Sequence, residues 1–156
     1  NILLSTALAL ELNVKIENIV DVITNIKPTP HRLEYIKSHI NILDDSYNCS
    51  IASATEAINV LLSTSNKKMI VTPGIIEGGK TQFELNFELG KMCRNLDYII
   101  IVGETNKKAI LSGIKLQKYK CKIILCKSLN ESKHYFYLLK PNDCLLLLND
   151  LPDDYT

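Results

Sequence analysis

The sequence predicts an α/β domain in which a mostly parallel sheet lies between helices on both faces, preceded by two short helices. Three observations predict it. Uniformly apolar runs of strand length recur along the chain, amphipathic helical patterns separate them, and each strand-turn-helix unit takes about 25 to 30 residues, as a parallel crossover requires. Strands apolar at every position are buried on both faces, which favours parallel over antiparallel pairing.

Ile2, Leu3, Thr6, Ala7 and Leu10 recur at helical spacing, and Ile16, Ile19, Val20 and Ile23 do so again after a break at Asn13. Lys27-Pro28-Thr29-Pro30 stops the pattern, because proline lacks an amide donor and disfavours helix in the residue before it. This stop is the expected domain boundary. His31 to Ser38 and Ile40 to Leu43 then read as strands, with a hairpin near Ser38-His39. Further strands are expected at Lys68 to Thr72, Tyr98 to Val102, Lys122 to Cys126 and Cys144 to Leu148. The helical patterns run from Ile51 to Leu62, Gln82 to Cys93, Lys107 to Leu116 and Glu131 to Leu139, with Ile51, Thr55, Ile58 and Leu62 as one stripe. Right-handed crossovers in such a sheet leave the carboxyl ends of the strands as the place for ligands.

With 156 residues, 46% of them hydrophobic, the chain affords one compact core and not two full domains. Eighteen basic against seventeen acidic residues leave a net charge of +1, too weak a field to make nucleic acid or an anionic membrane the main partner. No stretch approaches the roughly twenty apolar residues of a membrane span, and the start lacks a secretory signal, so a cytoplasmic chain without membrane insertion is expected. Asn1 opens directly inside a helical pattern without a Met, the expectation for a piece cut from a longer protein. Cys49, Cys93, Cys121, Cys126 and Cys144 are odd in number and form no CxxC, so they read as reduced, mostly buried thiols. His31, His39 and His134 lie far from any cysteine pair, and no metal site is expected.

Three segments carry candidate chemistry. Leu43-Asp44-Asp45-Ser46-Tyr47-Asn48 ends a strand with two acids and opens a helix, so a carboxylate there can accept from ribose hydroxyls while helix amides favour anions. Equally, Asp44 or Asp45 caps the turn and Asn48 or Ser50 caps the helix. Gly74-Ile75-Ile76-Glu77-Gly78-Gly79-Lys80-Thr81 satisfies the P-loop spacing between a strand and a helix, in which case Lys80 would meet the terminal phosphate and Thr81 the magnesium. Pro73, the bulky Ile75 and Ile76, and the acid Glu77 work against that reading. Pro30-His31-Arg32-Leu33-Glu34 places an arginine just past a stiff linker, suited to phosphate or to a flat adenine ring. His134, Tyr135, Phe136 and Tyr137 read as core packing on the last helix, and no catalytic residue can be assigned.

These segments, with Thr72-Pro73-Gly74-Ile75-Ile76-Glu77-Gly78-Gly79, Val102-Gly103-Glu104 and Asn149-Asp150-Leu151-Pro152-Asp153-Asp154-Tyr155, resemble in order the C-terminal domain of Mur ligases of the MurF type. The resemblance implies a Rossmann-like domain over residues 29–156, with residues 1–28 as the closing helices of a central ATPase domain. It implies an ATP-dependent ligase of peptidoglycan precursor synthesis, which activates a carboxylate of a UDP-muramoyl peptide as an acyl phosphate with ATP and Mg2+ and joins it to D-alanyl-D-alanine. The central domain would hold most of the nucleotide and the metal, and this fragment alone would be inactive. Matched position by position, Arg32 falls on the arginine that contacts the nucleotide and Asp45 on the acid that holds the ribose. Tyr47 and Asn48 line the same pocket, and Thr72, Glu77, Asn149 and Asp150 fall where acceptor and closure contacts tend to lie. The chain departs from that pattern at Ser50 and Ile51, where relatives usually have Asn and Pro, and at Lys80, which makes the P-loop spacing an accident. The rival readings are a self-contained P-loop phosphotransferase built on Gly74 to Thr81, and a non-catalytic binding domain.

Overall fold

The computed structural model describes residues 1–27, 29–116 and 120–149. The helices are α1 (Ile2–Glu11), α2 (Ile16–Asn25), α3 (Ile51–Ser63), α4 (Gln82–Met92), α5 (Lys107–Lys115) and α6 (Leu129–Lys133). The strands are β1 (Glu34–Lys37), β2 (Asn41–Asp45), β3 (Lys68–Thr72), β4 (Tyr98–Val102), β5 (Lys122–Cys126) and β6 (Cys144–Leu148). They form one sheet in the order β1-β2-β6-β3-β4-β5, antiparallel only between β1 and β2.

Strand β6, Cys-Leu-Leu-Leu-Leu, lies between β2 and β3 and supplies both cores by simple alternation. Leu146 stands opposite Leu43 and Ile70 in the core beneath α3, α4 and α5, whereas Leu145 stands opposite Met69 in the core on the other face. The crossovers from β2 through β5 all step the same way across the sheet, so their right-handedness puts α3, α4 and α5 on one face. The return from β5 to β6 steps backward, which sends α6 and the single turn at Phe136–Leu138 to the opposite face. Helices therefore cover both faces, unequally.

Local chemistry sets the element ends. At the end of α1 the amide of Val14 bonds the Ala9 carbonyl at 2.9 Å and that of Asn13 bonds Leu10 at 2.9 Å, with Asn13 at φ 57° as the left-handed stop. Ser50 opens α3 through a reciprocal capping box with Ser53. Helices α4 and α5 cross where Gly90 and Gly113 meet, and a β-carbon on Gly113 would stand 2.1 Å from the Phe87 carbonyl oxygen.

Four expectations need correction. Residues 31–33 are a turn and not strand, because the hydrogen bonds there run to the side and main chains of residues 45 and 47 instead of along a ladder. Strand β2 correspondingly runs on through Asp45. The buried stripe of α3 is Ala54, Ala57, Ile58 and Leu61, rotated from the expected one, since small alanines let this helix sit close to the sheet. The last expected helix breaks after Lys133, leaving Tyr137 76% exposed while Tyr135 and Phe136 pack on the core.

Helices α1 and α2 contact one another and bury none of their residues, so Leu3, Leu4, Leu8, Val20 and Val22 remain exposed. No helix among the described residues is long and apolar enough to cross a membrane. All five cysteines are free, and burial pushes the Cys93 thiol up to about 12.

Replacing Gly113→Ala is expected to push α4 and α5 apart and to cost about 1–3 kcal/mol of stability. Thermal unfolding followed by circular dichroism measures it; an unchanged midpoint would show that the helices can separate freely.

Candidate functional site at the strand carboxyl ends

A cleft of about 790 Å³ opens at the carboxyl ends of β2, β6 and β3, with Arg32, Tyr47, Asn48, Ser50, Glu77 and Asn149 among its lining residues. Its volume lies in the range of small-molecule sites. Five of the expected site residues thus share one cleft: Arg32, Tyr47, Asn48, Glu77 and Asn149. Asp150 lies outside the described residues.

Asn149 ties the floor together. Its amide donates to the Asp45 carbonyl at 3.0 Å and its Nδ2 donates to the Gly74 carbonyl at 2.6 Å, linking the ends of all three strands. The residue adopts φ 68°, a conformation asparagine tolerates better than most, and its side chain is buried. Whatever it contributes to a ligand, Asn149 is first a structural staple.

The two acids of Leu43-Asp44-Asp45-Ser46 turn toward the 31–33 turn. Asp44, buried, accepts from Ser46 N at 3.1 Å and Ser46 Oγ at 2.6 Å, and pairs with His31 Nδ1 at 2.8 Å. Asp45, also buried, accepts from Leu33 N at 2.9 Å. Burial raises the Asp45 carboxyl above its ordinary value of 3.8, opposed by the Leu33 hydrogen bond and by the charge of Arg32 and reinforced by Asp44. Asp45 therefore stands behind the cleft wall, holding the arginine-bearing turn. Arg32 itself is exposed at the rim, where its Nη1 donates to Asn48 Oδ1 at 2.8 Å and its guanidinium lies 4.2 Å from the centre of the Tyr47 ring.

The opposite rim is the loop from Pro73 to Gly78, held by a set of amide side chains that sequence reasoning did not single out. Asn86, wholly buried on α4, accepts from Ile75 N at 2.8 Å and donates to Ile75 O at 2.9 Å. Asn106 donates to Pro73 O at 2.9 Å, and Gln82 donates to Ile75 O at 2.5 Å while accepting from Gly78 N at 2.6 Å. The available signal was a polar residue at a helix position that periodicity makes buried. Gly74 is needed here twice over, at φ 85° and with a β-carbon position only 2.2 Å from Asn86 Oδ1.

This arrangement works against the P-loop. A phosphate cradle requires free loop amides. Here the amides of Gly74, Ile75 and Gly78 are taken by Thr72 Oγ1, Asn86 Oδ1 and Gln82 Oε1, and that of Thr81 by the Gly78 carbonyl. Thr81 Oγ1 donates to the Gly78 carbonyl as well. Thr72, unlike the five residues above, is not among the lining residues: its side chain is wholly buried and caps the turn at Gly74. Among the described residues no group of three or more His, Cys, Asp or Glu side chains could hold a metal ion. The cleft offers the Arg32 guanidinium on one rim and the Glu77 carboxylate on the other, with neutral amides and hydroxyls between them, so an anionic group is favoured on the Arg32 side.

Fold and cleft together define an α/β domain with an open cleft at the carboxyl ends of a mostly parallel sheet, where such folds meet ligands, and with an arginine preset at the rim. The chain is a homologue of the Mur ligases, matching their C-terminal domain and MurF-like in structure. No family model matches it. It is 32% identical over 110 residues to the UDP-N-acetylmuramoylalanine--D-glutamate ligase of Thermotoga maritima, covering 69% of this chain and 24% of that protein. To the UDP-N-acetylmuramoyl-tripeptide--D-alanyl-D-alanine ligase of Escherichia coli it is 28% identical over 108 residues, covering 67% and 24%. The crystal structure of MurF from Acinetobacter baumannii superposes with a TM-score of 0.75 at 25% identity, covering 94% of this chain and 32% of that one. The MurF ligase of Thermotoga maritima in complex with ADP has the same fold, with a TM-score of 0.75 at 24% identity over 94% of this chain and 33% of that one. The chain thus spans about a quarter of the length of the curated relatives it matches, 24% for the first of them.

Two outcomes follow from these contacts. Asn86→Ala leaves the buried Ile75 amide without its acceptor and is expected to cost about 1–3 kcal/mol, read as a lower urea midpoint; no change would mean the loop is held by Gln82 and Asn106 alone. Because the Asp45 pKa is raised on folding, the folded state binds that proton more tightly and loses the advantage as pH rises through the raised value. Asp45→Asn keeps an acceptor for Leu33 and removes the charge, so its stability relative to wild type should increase as the pH rises from 3.8 through the raised value and then level off. A flat difference across that window would overturn the assigned burial.

Proposed function

We propose that this chain is the C-terminal domain of an ATP-dependent Mur ligase of peptidoglycan precursor synthesis. In this reading residues 1–28 close a central ATP-binding domain and residues 29–156 form the domain that covers it. The whole enzyme would join an amine acceptor to a UDP-muramoyl peptide in the cytoplasm, using ATP and Mg2+, and the isolated piece would not turn over. The observation that carries it is Arg32, set at the rim of a cleft at the strand carboxyl ends within the ordered motifs of the family. Further support comes from a structural neighbour whose described complex contains ADP.

In the proposed site Arg32 meets the nucleotide phosphates, Asp45 holds the ribose, and Tyr47 and Asn48 line the pocket. Glu77, Asn149 and Asp150 would lie toward the acceptor. Because Asp45 is buried behind the turn, its contact with a ribose requires the turn at residues 31–33 to shift, and its first effect runs through the position of Arg32. The metal would be held by the central domain, since among the described residues lining this cleft Glu77 is the one carboxylate. The exposed apolar faces of α1 and α2 suit burial against such a domain.

We infer D-alanyl-D-alanine as the acceptor from the MurF-like structure. D-glutamate is the second reading, favoured by the 32% identity to a D-glutamate ligase. The test uses the full-length protein, measuring ADP release with each acceptor and the matching UDP-muramoyl substrate. Turnover with D-alanyl-D-alanine and none with D-glutamate is expected. Arg32→Ala should raise the KM for ATP or lower kcat at least about tenfold, the loss of a charge-assisted contact. An Arg32→Ala enzyme with unaltered ATP dependence would remove the nucleotide role from this cleft.

A further inference from the structure

Arg32 is held in place before any ligand is considered. His31 and Leu33, on either side of it, adopt φ of 61° and 50°, a left-handed backbone that side chains with a β-carbon disfavour. The strain persists because one segment clamps the turn. Asp44 pairs with His31 Nδ1 at 2.8 Å, Asp45 accepts from Leu33 N at 2.9 Å, and Tyr47 N donates to the His31 carbonyl at 3.2 Å. The same segment then fixes the side chain. Asn48 Oδ1 accepts from Arg32 Nη1 at 2.8 Å, and the Tyr47 ring faces the guanidinium at 4.2 Å.

We propose that Tyr47 is a positioning residue for Arg32: its ring holds the guanidinium plane at the cleft rim, Asn48 fixes the rotation about it, and the remaining N–H donors are left for an anionic group. Tyr47 then acts through Arg32 and is not a platform for a nucleotide base. A guanidinium presents five donors in one plane, and the Asn48 bond uses only one of its nitrogens. Stacking on a ring fixes that plane at little cost in further hydrogen bonds. Tyr47 is 59% exposed, so its ring does not support the core. This inference rests on the nucleotide reading of the cleft and concerns which residue touches the ligand.

The experiment is NMR on this chain, observing the Arg32 Nε–Hε group and titrating ATP and, separately, sodium tripolyphosphate. In wild type the Arg32 Hε should be shifted upfield by the ring, retained in Tyr47→Phe and lost in Tyr47→Leu. Tyr47→Leu should weaken ATP and tripolyphosphate by the same factor, about threefold as for an exposed cation–π contact, and should have no further effect in an Arg32→Ala background. Selective weakening of ATP, or an undiminished effect of Tyr47→Leu when Arg32 is absent, would show the ring touching the base and would overturn the proposal. An unshifted Arg32 Hε in wild type would overturn it too. If neither ligand perturbs the wild-type chain, the nucleotide reading of this isolated domain fails, while the Hε shift still decides the pairing of Tyr47 with Arg32.

Discussion

Strand β6 pairs with β2 on one side and β3 on the other, and the cleft exists because of that placement. This strand, the last among the described residues, brings Asn149 to the point where it can bond the main chain beyond both neighbours, at Asp45 and at Gly74. Without that bridge the arginine-bearing rim and the Glu77-bearing rim would belong to separate loops. The leucines of β6 make the placement strongly favoured, because each face of the strand is buried in a different core and only a central position covers both.

The two rims are stiffened by different chemistry. On one side buried carboxylates clamp a turn whose backbone is unfavourable at the two positions flanking Arg32, His31 and Leu33. On the other, Asn86, Asn106 and Gln82 satisfy the loop main chain from Pro73 to Gly78. Both arrangements spend donors and acceptors on the protein's own backbone. Among the named cleft residues Arg32 and Glu77 carry the formal charges, so electrostatic recognition at the rims runs through them.

Much of the fold is legible along the chain. Strands β3, β4 and β6 have the ends expected from their apolar runs, because a strand buried on both faces has little freedom in composition; β5 has its expected ends too, but at the sheet edge it leaves Ile123 and Leu125 exposed. The end of α6 was less legible, since Ser128 caps only a short helix and a single turn at Phe136–Leu138 follows it, with Tyr137 exposed. At the site, residues marked by motif order, Arg32, Tyr47, Asn48, Glu77 and Asn149, do share one cleft. Thr72 and Asp45 were legible as strand-end residues, but whether a side chain points into the cleft or behind it depends on the neighbouring turn.

What is readable from residues alone is the type and order of elements, because periodicity and turn chemistry are local. The strand order, with β6 entering between β2 and β3, depends on contacts about a hundred residues apart in sequence, which no local pattern encodes. The same holds for the P-loop spacing: it is present in the sequence, and only the tertiary structure shows the amides of Gly74, Ile75 and Gly78 already bonded to Thr72, Asn86 and Gln82. Hydrogen-bonding capacity is a property of the surroundings, and those surroundings are assembled from α4, α5 and the sheet together.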